Sequence, residues 1–134
     1  MTRIAFIGLG NMGGGMAARQ VVGGREVHAF DLSEAAVKKA VAAGAHAAGS
    51  VVKAVEGADA VITMLPAGPH VRKVYDEHIL PHAPKSAVLI DCSTIDVESA
   101  RAVAKQAKEV GFRFADAPVS GGTAAADAGT LAFM

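Results

Sequence analysis

The chain has 134 residues, 51% of them apolar and 19% charged, with a formal net charge of zero. That length is about one domain's worth, the apolar share suffices for a sizeable core, and the charge balance offers nucleic acid no basic face. The single cysteine, Cys92, excludes an internal disulfide framework, and no uninterrupted apolar stretch is long enough to cross a bilayer. The N-terminus reads as entering a strand at once, without secretory n- and h-regions. The expectation is a soluble cytoplasmic domain whose partners are small molecules rather than nucleic acid or membrane.

Ile4, Ala5, Phe6 and Ile7 run consecutively and predict a strand covered on both faces. The loop Gly8-Leu9-Gly10-Asn11-Met12-Gly13 follows, and residues 12–22 predict a helix with Gly13, Ala17 and Val21 on one face. This places a G-x-G-x-x-G between a strand and a helix, where each glycine has a purpose. The first permits a sharp turn, the second lets a pyrophosphate approach the backbone, and the third lets helix and strand pack closely. Unpaired N–H groups at the helix start and the positive end of its dipole suit a dinucleotide phosphate. Taken alone, the loop reads equally well as a glycine-rich turn with no ligand.

Gly23 and Gly24 stop the first helix, and a second strand is predicted over Glu26–Phe30. Asp31 stands at its end, roughly 20 residues beyond the loop, where the ribose-binding acid of a dinucleotide site belongs. Its carboxylate would accept both adenosine ribose hydroxyls and repel a 2′-phosphate, which favours NAD over NADP. An exposed acid at a strand end is the plainer alternative. Ser33 is predicted to cap a helix over residues 34–43, a short strand lies near residues 45–48, and Ser50 caps a brief helix to about Glu56.

A fourth strand is expected within residues 58–65 and is stopped by Pro66. A helix around residues 70–75 has uncertain limits, because Pro69 and Pro81 interrupt the area. Residues 87–91 form a fifth strand. Asp96 caps a helix whose apolar face carries Val97, Ala100, Val103, Ala104, Ala107 and Val110, and residues 113–117 begin a sixth strand. The apolar run from Leu131 to Met134 reads as a strand cut off while getting under way, so the chain looks like a fragment. Strand and helix alternate throughout, which predicts a Rossmann-like α/β fold, a doubly wound parallel sheet with ligand loops at the C-terminal strand ends.

Several ordered segments sharpen this reading. They are Phe6-Ile7-Gly8-Leu9-Gly10-Asn11-Met12-Gly13, Val61-Ile62-Thr63-Met64-Leu65-Pro66, Leu89-Ile90-Asp91-Cys92-Ser93-Thr94-Ile95 and Asp116-Ala117-Pro118-Val119-Ser120-Gly121-Gly122. With Gly129-Thr130-Leu131 after them, they make the whole chain resemble the 3-hydroxyisobutyrate dehydrogenase group of the β-hydroxyacid dehydrogenases. The resemblance implies that residues 1–134 are the nucleotide-binding half. It also implies that an absent all-helical half supplies a catalytic lysine and most contacts of a homo-oligomer.

The resemblance further implies residue roles. Gly8, Leu9, Gly10, Asn11, Met12 and Gly13 would hold the pyrophosphate, and Asp31 the adenosine ribose. Leu65 and Pro66 would line the cofactor cleft, and Thr94 would lie by the nicotinamide. Ser120, Gly121 and Gly122 match the loop that receives the substrate carboxylate, where consecutive glycine N–H groups make an anion nest. Without the resemblance, a tight turn explains those three residues better. Four positions depart from the family pattern: Gly15 replaces a proline, Arg19 an asparagine, His70 an asparagine or glutamate, and Ala125 a glycine. They bear on affinity and substrate identity more than on class.

Other candidates are weaker. His78 and His82 are four apart, but Pro81 between them argues against a helical metal pair. Cys92 reads as a small buried hydrophobe and Asp96 as a helix cap, leaving no catalytic acid or base in this chain. The expected activity is hydride transfer between NAD and a small 3-hydroxy acid and its semialdehyde, which this chain alone would not complete. The alternatives are an NADP-dependent glyoxylate or tartronate semialdehyde reductase and a non-catalytic NAD-binding module.

Overall fold

A computed structural model describes residues 2–134. Six parallel strands form the sheet in the order β3-β2-β1-β4-β5-β6. They are β1 (Arg3–Ile7), β2 (Glu26–Phe30), β3 (His46–Ala47), β4 (Ala60–Thr63), β5 (Val88–Asp91) and β6 (Arg113–Asp116). Chain order runs outward from β1 to β3, then returns to the other side of β1 for β4. The gap between the C-terminal ends of β1 and β4 is therefore the switch point at which ligands of such sheets bind.

Side-chain alternation along the strands builds a core on each face. Ala5, Ile7, Val61 and Leu89 point toward α3 (Val51–Val55), α4 (Gly68–Val74) and α5 (Val97–Glu109). Phe6, Val27 and Ala29 point the other way, toward α1 (Asn11–Val22) and α2 (Glu34–Ala42). Burying a side chain such as Phe6 contributes about 1.5–3 kcal/mol, so the strands of the sheet centre carry much of the stability.

Helix starts follow their capping residues. The Ser33, Ser50 and Asp96 side chains accept the N–H groups of Ala36, Lys53 and Ser99 at 3.3, 3.1 and 2.9 Å. On α5, Ser99, Val103 and Ala107 are the buried residues, at four-residue steps on one stripe.

The structure corrects the sequence reading in three places. On α5, Val97 and Val110 of the expected apolar face are exposed at the two ends of the helix, while Ser99 is buried. Pro69 does not interrupt the fourth helix. It occupies the first turn of α4, where its missing N–H is not needed, and the helix runs on as a π-helical turn over Tyr75–Ile79. Beyond β6 the strictly parallel alternation ends. β7 (Val119–Ser120) and β8 (Ala132–Phe133) pair antiparallel, with α6 (Gly122–Ala128) between them. Ser120 therefore sits in a strand and Gly122 in the first turn of a helix, rather than together in a simple turn. Among the described residues no helix is long and apolar enough to cross a membrane.

Candidate functional site

Five strand ends converge on one edge. In register, Ile7 pairs with Phe30 and with Thr63, Thr63 with Asp91, and Asp91 with Asp116. The segments leaving these residues hold Gly8, Asp31, Leu65, Pro66, Thr94 and Ser120, so all the positions singled out from the sequence open on the same side of the sheet.

The three glycines of the loop sit in different surroundings. Gly8 turns with φ +99° and donates its N–H to Phe30 O at 3.0 Å; a side chain there would strike the Met64 carbonyl. A Cβ on Gly13 would strike the Gly8 carbonyl oxygen, so only glycine lets α1 lie this close to β1. Gly10 differs from both. It has an ordinary negative φ of −64°, and nothing lies within 4 Å of where its Cβ would be. No protein atom demands glycine at that position, and the space beside it is open to a ligand. The α1 N-terminus carries neither a side-chain cap nor an acidic residue in its first turn, leaving its N–H groups and dipole available to an anion.

Asp31 is tied into this loop. Its Oδ2 accepts the Leu9 N–H at 2.7 Å and its Oδ1 accepts the Ser33 N–H at 2.8 Å. A carboxylate accepts about four hydrogen bonds, so capacity remains on both oxygens for the vicinal hydroxyls of a ribose. A cavity of about 620 Å³ runs from Gly8 and Asp31 past Leu65, Pro66 and His70 to Val74. His70, which departs from the family pattern, thus lies on the cleft wall. A second cavity, about 590 Å³, lies between α1 and α2 and reaches Asn11, Asp31, Thr123 and Asp127. Open Gly10, the bare helix start, the anchored acid and an adjoining cleft together fit a dinucleotide.

Thr94 is exposed just beyond β5, and Ser120, Gly121 and Gly122 are exposed beyond β6. Gly121 and Gly122 both have positive φ, at 133° and 69°. A side chain on Gly121 would meet the Ala125 methyl at 2.6 Å, so the Ala125 departure is accommodated by packing directly beneath the glycine. Gly15 is accounted for in the same way. A Cβ there would meet Asp127 Oδ1 at 2.5 Å, which marks it as the point where α6 crosses α1. Arg19 lies over Gly129 at the other end of that crossing.

The sequence reading assigned no role to a buried polar cluster behind the cleft. Thr63 and Tyr75 are wholly buried and Asp91 and Ser93 nearly so, at 0%, 0%, 1% and 1% exposure. Burial holds Asp91 above the usual carboxylate range, against the lowering effect of hydrogen bonds from Ser93 and Thr63. Burial also raises the Tyr75 hydroxyl strongly and pushes the Cys92 thiol up to about 11, with the Asp91 and Asp116 charges adding to the Cys92 shift. Cys92 is an unreactive core thiol, in line with its sequence reading. The available signal for the cluster was a Thr and an Asp at the ends of otherwise apolar strands.

The family model described as the NAD binding domain of 6-phosphogluconate dehydrogenase matches residues 3–134. A 3-hydroxyisobutyrate dehydrogenase of Pseudomonas aeruginosa is 51% identical over 136 residues, covering 100% of this chain and 46% of that protein. An NAD-dependent L-serine dehydrogenase of the same organism is also 51% identical, with the same coverage. The solved Mycobacterium tuberculosis 3-hydroxyisobutyrate dehydrogenase with L-serine superposes with a TM-score of 0.97 at 48% identity, covering 100% of this chain and 46% of that one. The chain thus spans about half the length of the curated relatives it matches.

Proposed function

From the premise that the chain belongs to the family of NAD binding domains of the 6-phosphogluconate dehydrogenase type, we propose that it is the cofactor-binding half of an NAD-dependent 3-hydroxy acid dehydrogenase. The observation that carries the reading is the joint geometry of Gly10 and Asp31. One leaves open space at a helix N-terminus, and the other holds a carboxylate against the same loop through Leu9.

In this reading residues 8–13 bind the pyrophosphate through backbone N–H groups, and Asp31 accepts the adenosine ribose hydroxyls. Leu65 and Pro66 form the apolar wall of the cleft, which keeps water from the reacting face. Thr94 flanks the nicotinamide end. Ser120, Gly121 and Gly122 receive the substrate carboxylate with a hydroxyl and backbone N–H groups. When bound, NAD supplies the hydride acceptor for oxidation of a carbinol to a carbonyl, and the reverse reduction is equally allowed. Asp91 and Tyr75, buried behind the cleft wall, are out of reach of a substrate, and in this reading the cleft-lining Asp31, His70 and His78 take no part in proton transfer. The proton transfer is therefore assigned to a residue of a further, helical half, by analogy with relatives about twice as long.

The substrate class is a small acid with a hydroxyl on the carbon β to its carboxylate. Both 3-hydroxyisobutyrate and L-serine have that arrangement, and the two names occur among the 51%-identical relatives. Titration with NAD and NADP, followed by NAD reduction assays on both acids with the complete protein, tests the proposal. Tighter binding of NAD and turnover of one of these acids are expected. Tighter binding of NADP, or turnover restricted to substrates without a carboxylate, overturns it.

A further inference from the structure

We propose that Asp91 is a positioning residue for the cofactor cleft, holding the Leu65–Pro66 wall in place through Ser93. The inference rests on the NAD-dependent reading above and adds to it a residue that never touches the ligand.

The hydrogen-bond directions are forced by proton count. Thr63 Oγ1 donates its single proton to Asp91 Oδ1 at 2.8 Å, so at its 2.9 Å contact with the Tyr75 hydroxyl it must accept. Ser93 Oγ donates its own proton to the same Oδ1 at 2.6 Å, and the Ser93 N–H adds a longer bond at 3.2 Å. The Ser93 oxygen is then available as an acceptor, and it takes the Leu65 N–H at 2.8 Å. Every donor points toward the carboxylate. Reversing one link would break the next.

The topology explains why these groups meet. Thr63 and Asp91 are register partners at the last positions of β4 and β5, so their side chains lie on the same face. Tyr75 opens the π-helical turn that covers that face. Among the described residues, the Leu65 N–H is the one hydrogen bond from a side chain of this cluster to a residue lining the cleft.

Stability alone does not call for this arrangement. Replacing a buried polar group and its partners by apolar groups of similar shape is often neutral or stabilising, whereas a buried carboxylate carries a desolvation cost. What the network adds is a fixed backbone position at Leu65, whose side chain lies against Gly8 on the lining of the cleft in which a cofactor would lie. A loosened Leu65 would bind the cofactor less well without removing any group that touches the substrate.

The test uses the complete NAD-dependent enzyme with Ser93→Ala, Ser93→Thr and Asp91→Asn, since Asp91→Ala risks failing to fold. Ser93→Ala is expected to raise both the NAD dissociation constant and KM for NAD about tenfold, the scale of one lost hydrogen bond, with kcat changed far less. Ser93→Thr, which keeps the hydroxyl, should restore both constants. Asp91→Asn should fall between them, because its amide oxygen still accepts but carries no charge. If Ser93→Ala lowers the melting temperature yet leaves both NAD constants at the wild-type value, the cluster is structural only and the inference fails. If the wild-type protein itself does not bind NAD, the functional reading fails and takes this inference with it.

Discussion

The carboxylate of Asp31 accepts the backbone N–H of Leu9 at 2.7 Å, joining the end of β2 to the glycine loop that follows β1. A residue expected to meet a ribose therefore also sets the position of the loop expected to meet the adjacent pyrophosphate. Asp31→Ala should weaken NAD binding about ten- to a hundredfold, the scale of hydrogen bonds to a charged group. Asp31→Asn should in addition narrow the preference for NAD over NADP, because the charge that repels a 2′-phosphate is gone. Fluorescence titration with both cofactors checks this; an unchanged NAD/NADP ratio in Asp31→Asn would contradict the assignment.

Gly13 and Gly10 should separate in a stability-versus-binding comparison. Gly13→Ala drives a methyl into the Gly8 carbonyl and should destabilise the fold by about 1–3 kcal/mol or more. Gly10→Ala meets no protein atom, so its melting temperature should stay near wild type while NAD affinity falls at least about tenfold. Thermal melts alongside cofactor titrations read both effects. A Gly10→Ala variant that binds NAD normally would remove the pyrophosphate from this position.

Gly15 is a helix-interior glycine at which alanine should not help. An exposed Gly→Ala change within a helix ordinarily gains about 0.5–1 kcal/mol. Here the added methyl meets Asp127 Oδ1 at 2.5 Å and the Asp127 backbone nitrogen at 3.2 Å. Gly15→Ala is expected to cost about 1–3 kcal/mol in chemical denaturation, with part recovered in the double variant with Asp127→Ala. A net gain in stability would show that α6 does not press on α1 there.

Cys92 predicts a specific alkaline behaviour. Its thiol is raised from an ordinary 9.0 to about 11 by burial first, then by Asp91 and Asp116. The folded state thus holds the proton more firmly than the unfolded chain. The corresponding stability is complete below about pH 9 and is lost as the pH rises through about 11. Denaturation midpoints of the wild type and Cys92→Ala should converge across that window, and thiol reagents at neutral pH should label Cys92 only on unfolding. A pH-independent difference between the two proteins would refute the burial argument.

Much of the architecture was legible because local signals agreed. Ser33, Ser50 and Asp96 cap helices as their residue types predict, and the apolar runs at β1, β2, β4 and β5 fall where the strands are. Pro69 was misread because a proline within a helical pattern signals either a break or a first turn, and composition does not choose between them. The β7–β8 pair was missed as a pair. Val119 and Ser120 form too short a run to announce a strand, and their partners Phe133 and Ala132 lie across an intervening helix.

Sequence by itself determined the class of fold and the place of the glycine loop and the acid after it, since glycine spacing, an acid at the next strand end and alternating apolar runs are local properties. Family resemblance extended this to Leu65, Pro66, Thr94, Ser120, Gly121 and Gly122 as candidate site residues. Tertiary structure alone decided which glycines are required by packing and which face open space, because that depends on Met64 and Gly8 carbonyls approaching from elsewhere in the fold. It alone joined Asp31 to Leu9, and Tyr75 through Thr63, Asp91 and Ser93 to Leu65. Apart from the local Asp91–Ser93 bond, those links span separations of 12 to 28 residues, and hydrogen bonds are made by proximity in space, which strand register sets and a linear pattern does not record.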